Sequence, residues 1–297
     1  MGQPSLAERL GYGAEDRLLI VNCDDLGSSH AANVATFRSM AYGVATSATL
    51  MVPCPWAREA ARMFRGHPVG VHLTLTCEYR GYRWRGLTNG ASLHDGEGFF
   101  PRTTAAALQR LDAADARAEC QAQIETALSW GVDVTHLDAH MGVVQARTDL
   151  YGIHLDLAEA FRLPVRMVSR REAATQGFQA RERAEARGVL FNEHIVCPWP
   201  RRTRDVVFEE IPKLPAGVSE IFAHPALDGE ELRAYDTENA DIRAHDAVCL
   251  TDPTVSDLLA RHDVKPISFR ELRERQRAGL AASVTANAAA ETCRKPR

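Results

Sequence analysis

No run of about 18 apolar residues occurs in the 297-residue chain, which excludes a transmembrane helix. Met1 to Asp16 shows no basic start followed by an apolar block, so a secretory leader is not expected. There is no surplus of positive charge: 35 Lys and Arg stand against 39 Asp and Glu, which argues against nucleic acid or an anionic membrane as partner. The seven cysteines (23, 54, 77, 120, 197, 249 and 293) are scattered and form no C-x-x-C pair, so neither a disulfide framework nor a zinc ribbon is indicated. Reduced thiols in a cytoplasm fit this pattern. No G-x-G-x-x-G follows the first apolar run and no G-x-x-x-x-G-K-[ST] is present, which counts against nucleotide binding. The missing G-x-S-x-G elbow disfavours acyl-enzyme chemistry.

What is present is an alternation of short apolar runs and helical patterns. Leu18 to Val21 reads as a buried parallel strand, and Ala31 to Tyr42 as a helix that Gly43 closes in the left-handed conformation. Val44 to Val52 is β-like, Trp56 to Phe64 helical and Val69 to Thr76 a strand. Cys77 to Arg102 breaks the rhythm as a loop insertion. Thr103 or Thr104 begins one long helix through Trp130; Val132 to Asp138 is a strand and Tyr151 to Phe161 a helix. Further strands are expected at Pro164 to Val168, Val189 to Val196, Val218 to Phe222 and Val264 to Ile267. Helices are expected at Arg204 to Ile211, Ala240 to Leu250, Val255 to Arg261 and Phe269 to Arg277. This βα rhythm predicts an α/β fold, a distorted (β/α) barrel with parallel strands and outer helices; an open doubly wound sheet is the alternative. The expected organisation is an N-terminal extension (1–16), one barrel domain (17–279) with the insertion at 77–102, and a disordered tail (280–297).

Polar residues cluster where strands end: Asp24-Asp25, His72, His136-Leu137-Asp138-Ala139-His140 and His224. In a parallel barrel the strand C-termini open onto one face, so these residues would converge. Taken singly, Asp24-Asp25 is also what a helix N-cap or a turn requires. His72 shares a strand face with Thr74, which points to a polar interior, and His224-Pro225 ends a strand where an acid or base could stand. A period of two places His136, Asp138 and His140 on one face, and such a trio needs a metal or a fully satisfied hydrogen-bond network. The other histidines (30, 67, 94, 154, 194, 245 and 262) read as surface residues.

Five strings resemble the YdjC-like (ChbG/HpnK-type) carbohydrate deacetylases, in family order: Leu19 to Gly27, Val44 to Thr49, Gly70 to Leu75, Thr135 to His140 and Glu220 to Pro225. The resemblance implies a hydrolase that uses one divalent metal ion, zinc or magnesium, to remove acetyl groups from N-acetylated amino sugars. It further implies Asp25, His72 and His140 as metal ligands, Asp24 as general base, His224 as acid or orienting group, and His136 and Asp138 as inner support. A homodimer is an expectation from the resemblance alone. One departure is visible: where family members often continue with further histidines, this chain reads Met141-Gly142-Val143-Val144. The aromatics Tyr79, Tyr82 and Trp84 could make the insertion a lid that stacks on sugar faces. A glycoside hydrolase, an iron oxygenase built on His136-Leu137-Asp138 and a silent sugar-binding protein are the competing functions.

Overall fold

Leu18 to Val21 lies within a ten-residue strand, β1 (Arg17–Leu26), and β1 is the axis of the sheet in the computed structural model, which describes residues 4–176 and 179–280. The other strands are β2 (Ser47–Leu50), β3 (Val69–Leu73), β4 (Val134–Ala139), β5 (His194–Val196), β6 (Gly217–Ala223) and β7 (Val264–Pro266). All pairings are parallel, in the order β4-β3-β2-β1-β6-β5. β7 shares an edge of β1 with β2: it pairs with Arg17 to Leu19, and β2 pairs further along, from Asn22. Single-residue bridges from Leu137 to Val165 and from Val165 to Phe191 connect β4 to the segment entering β5, so the sheet curls round on itself. The distorted barrel is therefore the architecture, and an open doubly wound sheet is not.

Strand alternation divides the side chains between two environments. Leu19, Val21 and Cys23 of β1 join Val69, Val71, Leu73, Ile221 and Ala223 in the core between sheet and helices. Leu18 and Ile20 face the other way and meet Val218, Ile267, Phe269 and Leu272 at the barrel base. The N-terminal segment belongs to that base, since Leu6 and Ala7 of the helix Leu6–Arg9 are buried in the same cluster. Farther along β1 the inward positions become Asn22 and Asp24, both buried. The barrel is thus apolar at its floor and polar at its mouth. No helix among the described residues is long and apolar enough to cross a membrane, and the described cysteines are free.

Several elements differ from expectation, each for a local reason. The helix expected from Thr103 to Trp130 is two, Thr104–Arg110 and Ala113–Ser129, because the Asp112 side chain caps the second by accepting from Ala114 N (2.8 Å). Pro164 to Val168 is not a full strand: the Asn192 side chain takes the Met167 N–H (2.7 Å) and donates to the Met167 carbonyl (3.1 Å), replacing ladder partners. Of Val189 to Val196, only His194–Val196 is strand, and Val44 to Val52 contracts to β2. Gly43 has φ −121°, not a left-handed value; a Cβ there would instead collide with the Leu250 carbonyl. The tail expected to be disordered falls, from residue 281 onward, outside the described residues.

The insertion at 77–102 contains one short 3-10 turn, Ala91–Leu93, and is held by side chains of the helix Ala113–Ser129. The buried Glu119 accepts from Leu87 N (3.0 Å), Thr88 N (2.8 Å), the Thr88 hydroxyl (2.7 Å) and Gln123 Nε2 (2.8 Å). Asp115 accepts from Ser92 N and its hydroxyl. Glu119→Ala should orphan these donors and cost about 2–4 kcal/mol. Urea denaturation would give that loss, and limited proteolysis should show new cleavage between residues 85 and 99; unchanged resistance would mean the loop is held by other contacts.

Candidate metal and catalytic site

A regular strand would send Asp24 and Asp25 to opposite faces. β1 avoids this by breaking its geometry: Asp25 has φ +61°, a left-handed value, and the β1–β2 register shifts between Cys23 and Leu26. Gly27 completes the turn with φ +92°, where a Cβ would come within 2.9 Å of Ala57 Cα. Its N–H donates to Asn33 Oδ1 (2.8 Å), which fixes the bend. Both carboxylates consequently line one cavity of about 1050 Å³ at the barrel mouth, together with His72, Asp138, His140 and His224.

Asp25, His72 and His140 bring one potential ligand atom each to within 4.8 Å of the others. Asp25 Oδ1 lies 3.4 Å from His72 Nε2 and 3.2 Å from His140 Nδ1, yet it is buried and makes no aligned hydrogen bond. Three buried ligand atoms gathered this closely could hold a cation. One carboxylate and two imidazoles suit zinc and other first-row divalent ions. Each of the three candidate ligands also has a partner behind it. Asp25 Oδ2 takes Arg243 Nη1 (2.7 Å), the far ring nitrogen of His72 sits 2.8 Å from Asp138 Oδ2, and that of His140 is 3.0 Å from Glu78 Oε2. Carboxylates behind ligating histidines fix ring orientation and raise ligand basicity.

Asp24 is held differently. Arg166 donates to both of its oxygens (2.6 and 2.7 Å), and Asn22 Nδ2 donates to Oδ1 (2.8 Å). The same guanidinium reaches Asp138 (2.6 Å) and Glu220 (2.7 Å) and lies over the Phe222 ring at 4.7 Å. Burial pushes the Glu220 carboxyl up to about 7, against the pull of Arg166. His224 Nε2 is 3.9 Å from Asp24 Oδ2, and its ring packs edge-on against Trp199 at 4.9 Å. Burial lowers the His224 pKa despite Asp25 and Asp24 nearby, which favours the neutral ring.

Of the residues singled out from the sequence, Asp24, Asp25, His72, Asp138, His140 and His224 meet in this cavity. His136 lies deeper on the inner face, stacked on Phe269 (centroids 3.8 Å apart), and its pKa is driven well below the usual value by burial. An oxygenase site built on His136 and Asp138 is therefore not formed. Tyr79 lines the cavity. Trp84 does not: it is buried, with its indole N–H donating to the Thr76 carbonyl (2.9 Å), and the Tyr82 hydroxyl donates to the Ser28 carbonyl (2.7 Å). These two build the loop instead of offering a face to a sugar. His154 is not a surface residue either; it is buried beside Tyr151, and burial lowers its pKa to about 4.

Sequence reasoning missed Arg166, Arg243, Glu78, Glu220 and Trp199. An arginine inside the otherwise apolar Pro164 to Val168 was the available signal for Arg166, and a tryptophan between two prolines for Trp199. Arg243 looks like any charge on a surface helix until the fold turns it inward.

The electrostatics set a pH dependence. Burial opposes a charged His72, but Asp138 and Asp25 override it and raise the pKa to about 10. His140 rises to about 9 in the same way, through Glu78 and Asp25. A metal ion must displace one proton from each ring, so affinity is weakest in acid, climbs as pH rises towards 9 and levels off above 10. The expected slope is roughly tenfold per pH unit for each proton displaced. Zinc titrations between pH 6 and 9 would measure it; a flat profile would mean that these imidazoles do not bind the ion.

The YdjC-like protein family model matches residues 18–261. A carbohydrate deacetylase of Thermus thermophilus is 35% identical over 279 residues, covering 91% of this chain and 98% of the relative. One of Geobacillus stearothermophilus is 33% identical, covering 86% and 98%. A solved structure from Enterococcus faecalis superposes with a TM-score of 0.76 at 22% identity, over 86% of this chain and 99% of that one, and shares the fold. With most of its length matched by the family and by relatives above 30% identity, this chain belongs to the YdjC-like family.

Proposed function

We propose that this chain is a metal-dependent carbohydrate N-deacetylase that hydrolyses the acetamido group of an amino sugar. The observation that carries the proposal is the pairing of two adjacent aspartates with different partners: Asp25 faces two imidazoles at 3.2–3.4 Å, while Asp24 is clamped by Arg166 beside them. The curated relatives named as carbohydrate deacetylases support the same reaction. A divalent ion held by Asp25, His72 and His140, with zinc or magnesium the candidates, would acidify a water and stabilise the oxyanion of the attacked amide.

The chain's own groups handle the protons. Asp24 accepts one from the attacking water as the new carbon–oxygen bond forms, and Arg166 keeps both of its oxygens oriented. His224, neutral at rest, faces the leaving nitrogen and passes it the proton that Asp24 collected, so the carbon–nitrogen bond breaks to an amine and acetic acid. The acid then ionises. Trp199 and Tyr79 line the cavity and would stack on a sugar ring; of the three aromatics expected from the sequence to do so, Tyr82 and Trp84 do not reach it. The scattered thiols, free among the described residues, support a reducing cytoplasm as the setting.

Asp24→Asn should keep the metal and lose roughly 100- to 10,000-fold in turnover. Acetate release from N-acetylated sugars measures this, and a near-wild-type rate would remove Asp24 as the base. Parallel assay of reducing ends separates deacetylation from glycoside cleavage, because a glycosidase would release sugar and no acetate. Trp199→Ala should raise KM about tenfold or more with a smaller change in kcat, in keeping with about 1–3 kcal/mol for a stacking face; unchanged KM would rule out the platform.

A further inference from the structure

Asp24, His72 and Asp138 form a second buried triad, sharing His72 with the first, whose ligand atoms also lie within 4.8 Å of one another. Two carboxylates and an imidazole are a donor set for a divalent ion in their own right. That position is taken. Arg166 Nη1 stands 2.6 Å from Asp24 Oδ2 and 2.6 Å from Asp138 Oδ2, between the two carboxylates where an ion would sit. Its other nitrogens are tied to Glu220 and Asp24, and Phe222 covers its face. We infer that Arg166 is a tethered cation occupying this second triad, and that it holds the site to a single divalent ion and keeps Asp24 out of the coordination sphere.

The two triads differ in where their guanidinium sits. Arg243 binds only Oδ2 of Asp25, on the side away from the cluster, and leaves Oδ1 facing the two imidazoles. Arg166 stands between Asp24 and Asp138 themselves, and a guanidinium keeps its proton in proteins and cannot diffuse away. Without Arg166, the carboxylates of Asp24, Asp138 and Glu220 would share the buried interior with no guanidinium among them, facing His72, His224, Asn22, Thr49 and the Ala139 N–H. Glu220 Oε2 and Asn22 Oδ1 are buried with no hydrogen-bond partner, so the space already holds oxygen donors to spare. A neutral residue at position 166 should open the second triad to metal.

This inference rests on the proposed metal site, and the test keeps the two apart. Wild type, Arg166→Met, Arg166→Lys and the Arg166→Met/Asp24→Asn double variant are equilibrated with excess zinc, desalted and measured for bound zinc by elemental analysis, with thermal unfolding followed with and without zinc. One equivalent is expected in wild type and Arg166→Lys, two in Arg166→Met and one in the double variant. Zinc should raise the melting temperature of Arg166→Met more than that of wild type. Zero equivalents in wild type would defeat the metal site itself. Two equivalents in wild type, or one in Arg166→Met, would defeat the inference while leaving the metal site standing. An Arg166→Met protein that folds neither with nor without zinc would also defeat it, because a filled second triad should restore the lost charge balance.

Discussion

Three carboxylates and one guanidinium are buried together in the barrel interior, and their balance of charge constrains the rest of the structure. Each buried ion left unpaired costs several kcal/mol, on the order of what a whole domain has to spare. Asp24, Asp138 and Glu220 are tolerated because Arg166 touches all three within 2.8 Å. Asp25, a few ångströms away, has its own cation in Arg243, which Asp236 holds by a second contact at 2.8 Å. Barrels of this kind are commonly filled by layers of branched apolar side chains. Here that filling is confined to the base, where Leu18, Ile20, Val218 and Phe269 pack with the N-terminal helix. The polar layers above are stable only as a set.

The backbone bears the cost of bringing two adjacent aspartates to one place. A left-handed residue with a side chain is unfavourable by roughly 1–2 kcal/mol, and Asp25 adopts that conformation at a register shift in the strand. Strain of this sort persists only where the surroundings over-determine it. Arg243 and the two imidazoles grip the carboxylate and hold its pKa well below the usual range, although burial works the other way. Gly27 and Asn33 secure the turn from the other side. Sequence, strain and site chemistry are thus one problem solved at four consecutive residues.

The features legible in the sequence were those with a period or a motif. The parallel alternation, the strand-end positions of Asp24, Asp25, His72, His140 and His224, and the inward face of Asp138 could all be read from spacing and family strings. What escaped was decided by tertiary contact. Arg166 and Arg243 carry the charge balance but belong to no pattern, because a single arginine reads the same whether it is solvated or clamped. Trp84 and Tyr82 looked like exposed aromatics only because the insertion has no periodicity, and Glu119, 31 to 32 residues away from the amides it accepts, is what draws that loop inward. His136 obeyed the predicted alternation and still missed the cavity, since facing inward does not say at which depth a residue lies.

The two aspartates also show why residue type alone underdetermines a site. Asp24 and Asp25 are chemically identical neighbours, and both end up at least nine-tenths buried beside an arginine. Their difference lies in geometry. Arg243 binds one oxygen of Asp25 and leaves Oδ1 directed at two imidazoles, so the free oxygen belongs to the ligand cluster. Arg166 binds both oxygens of Asp24 in a fork, which matches the planar carboxylate and fixes its orientation. A lysine at position 166 would supply the charge without the fork and would leave the Asp24 carboxylate free to rotate towards whichever cation was closer. Division of labour between the pair is therefore written in the guanidinium contacts, and those depend on where the bridge at Val165 and the helix Ala240–Thr251 place their arginines.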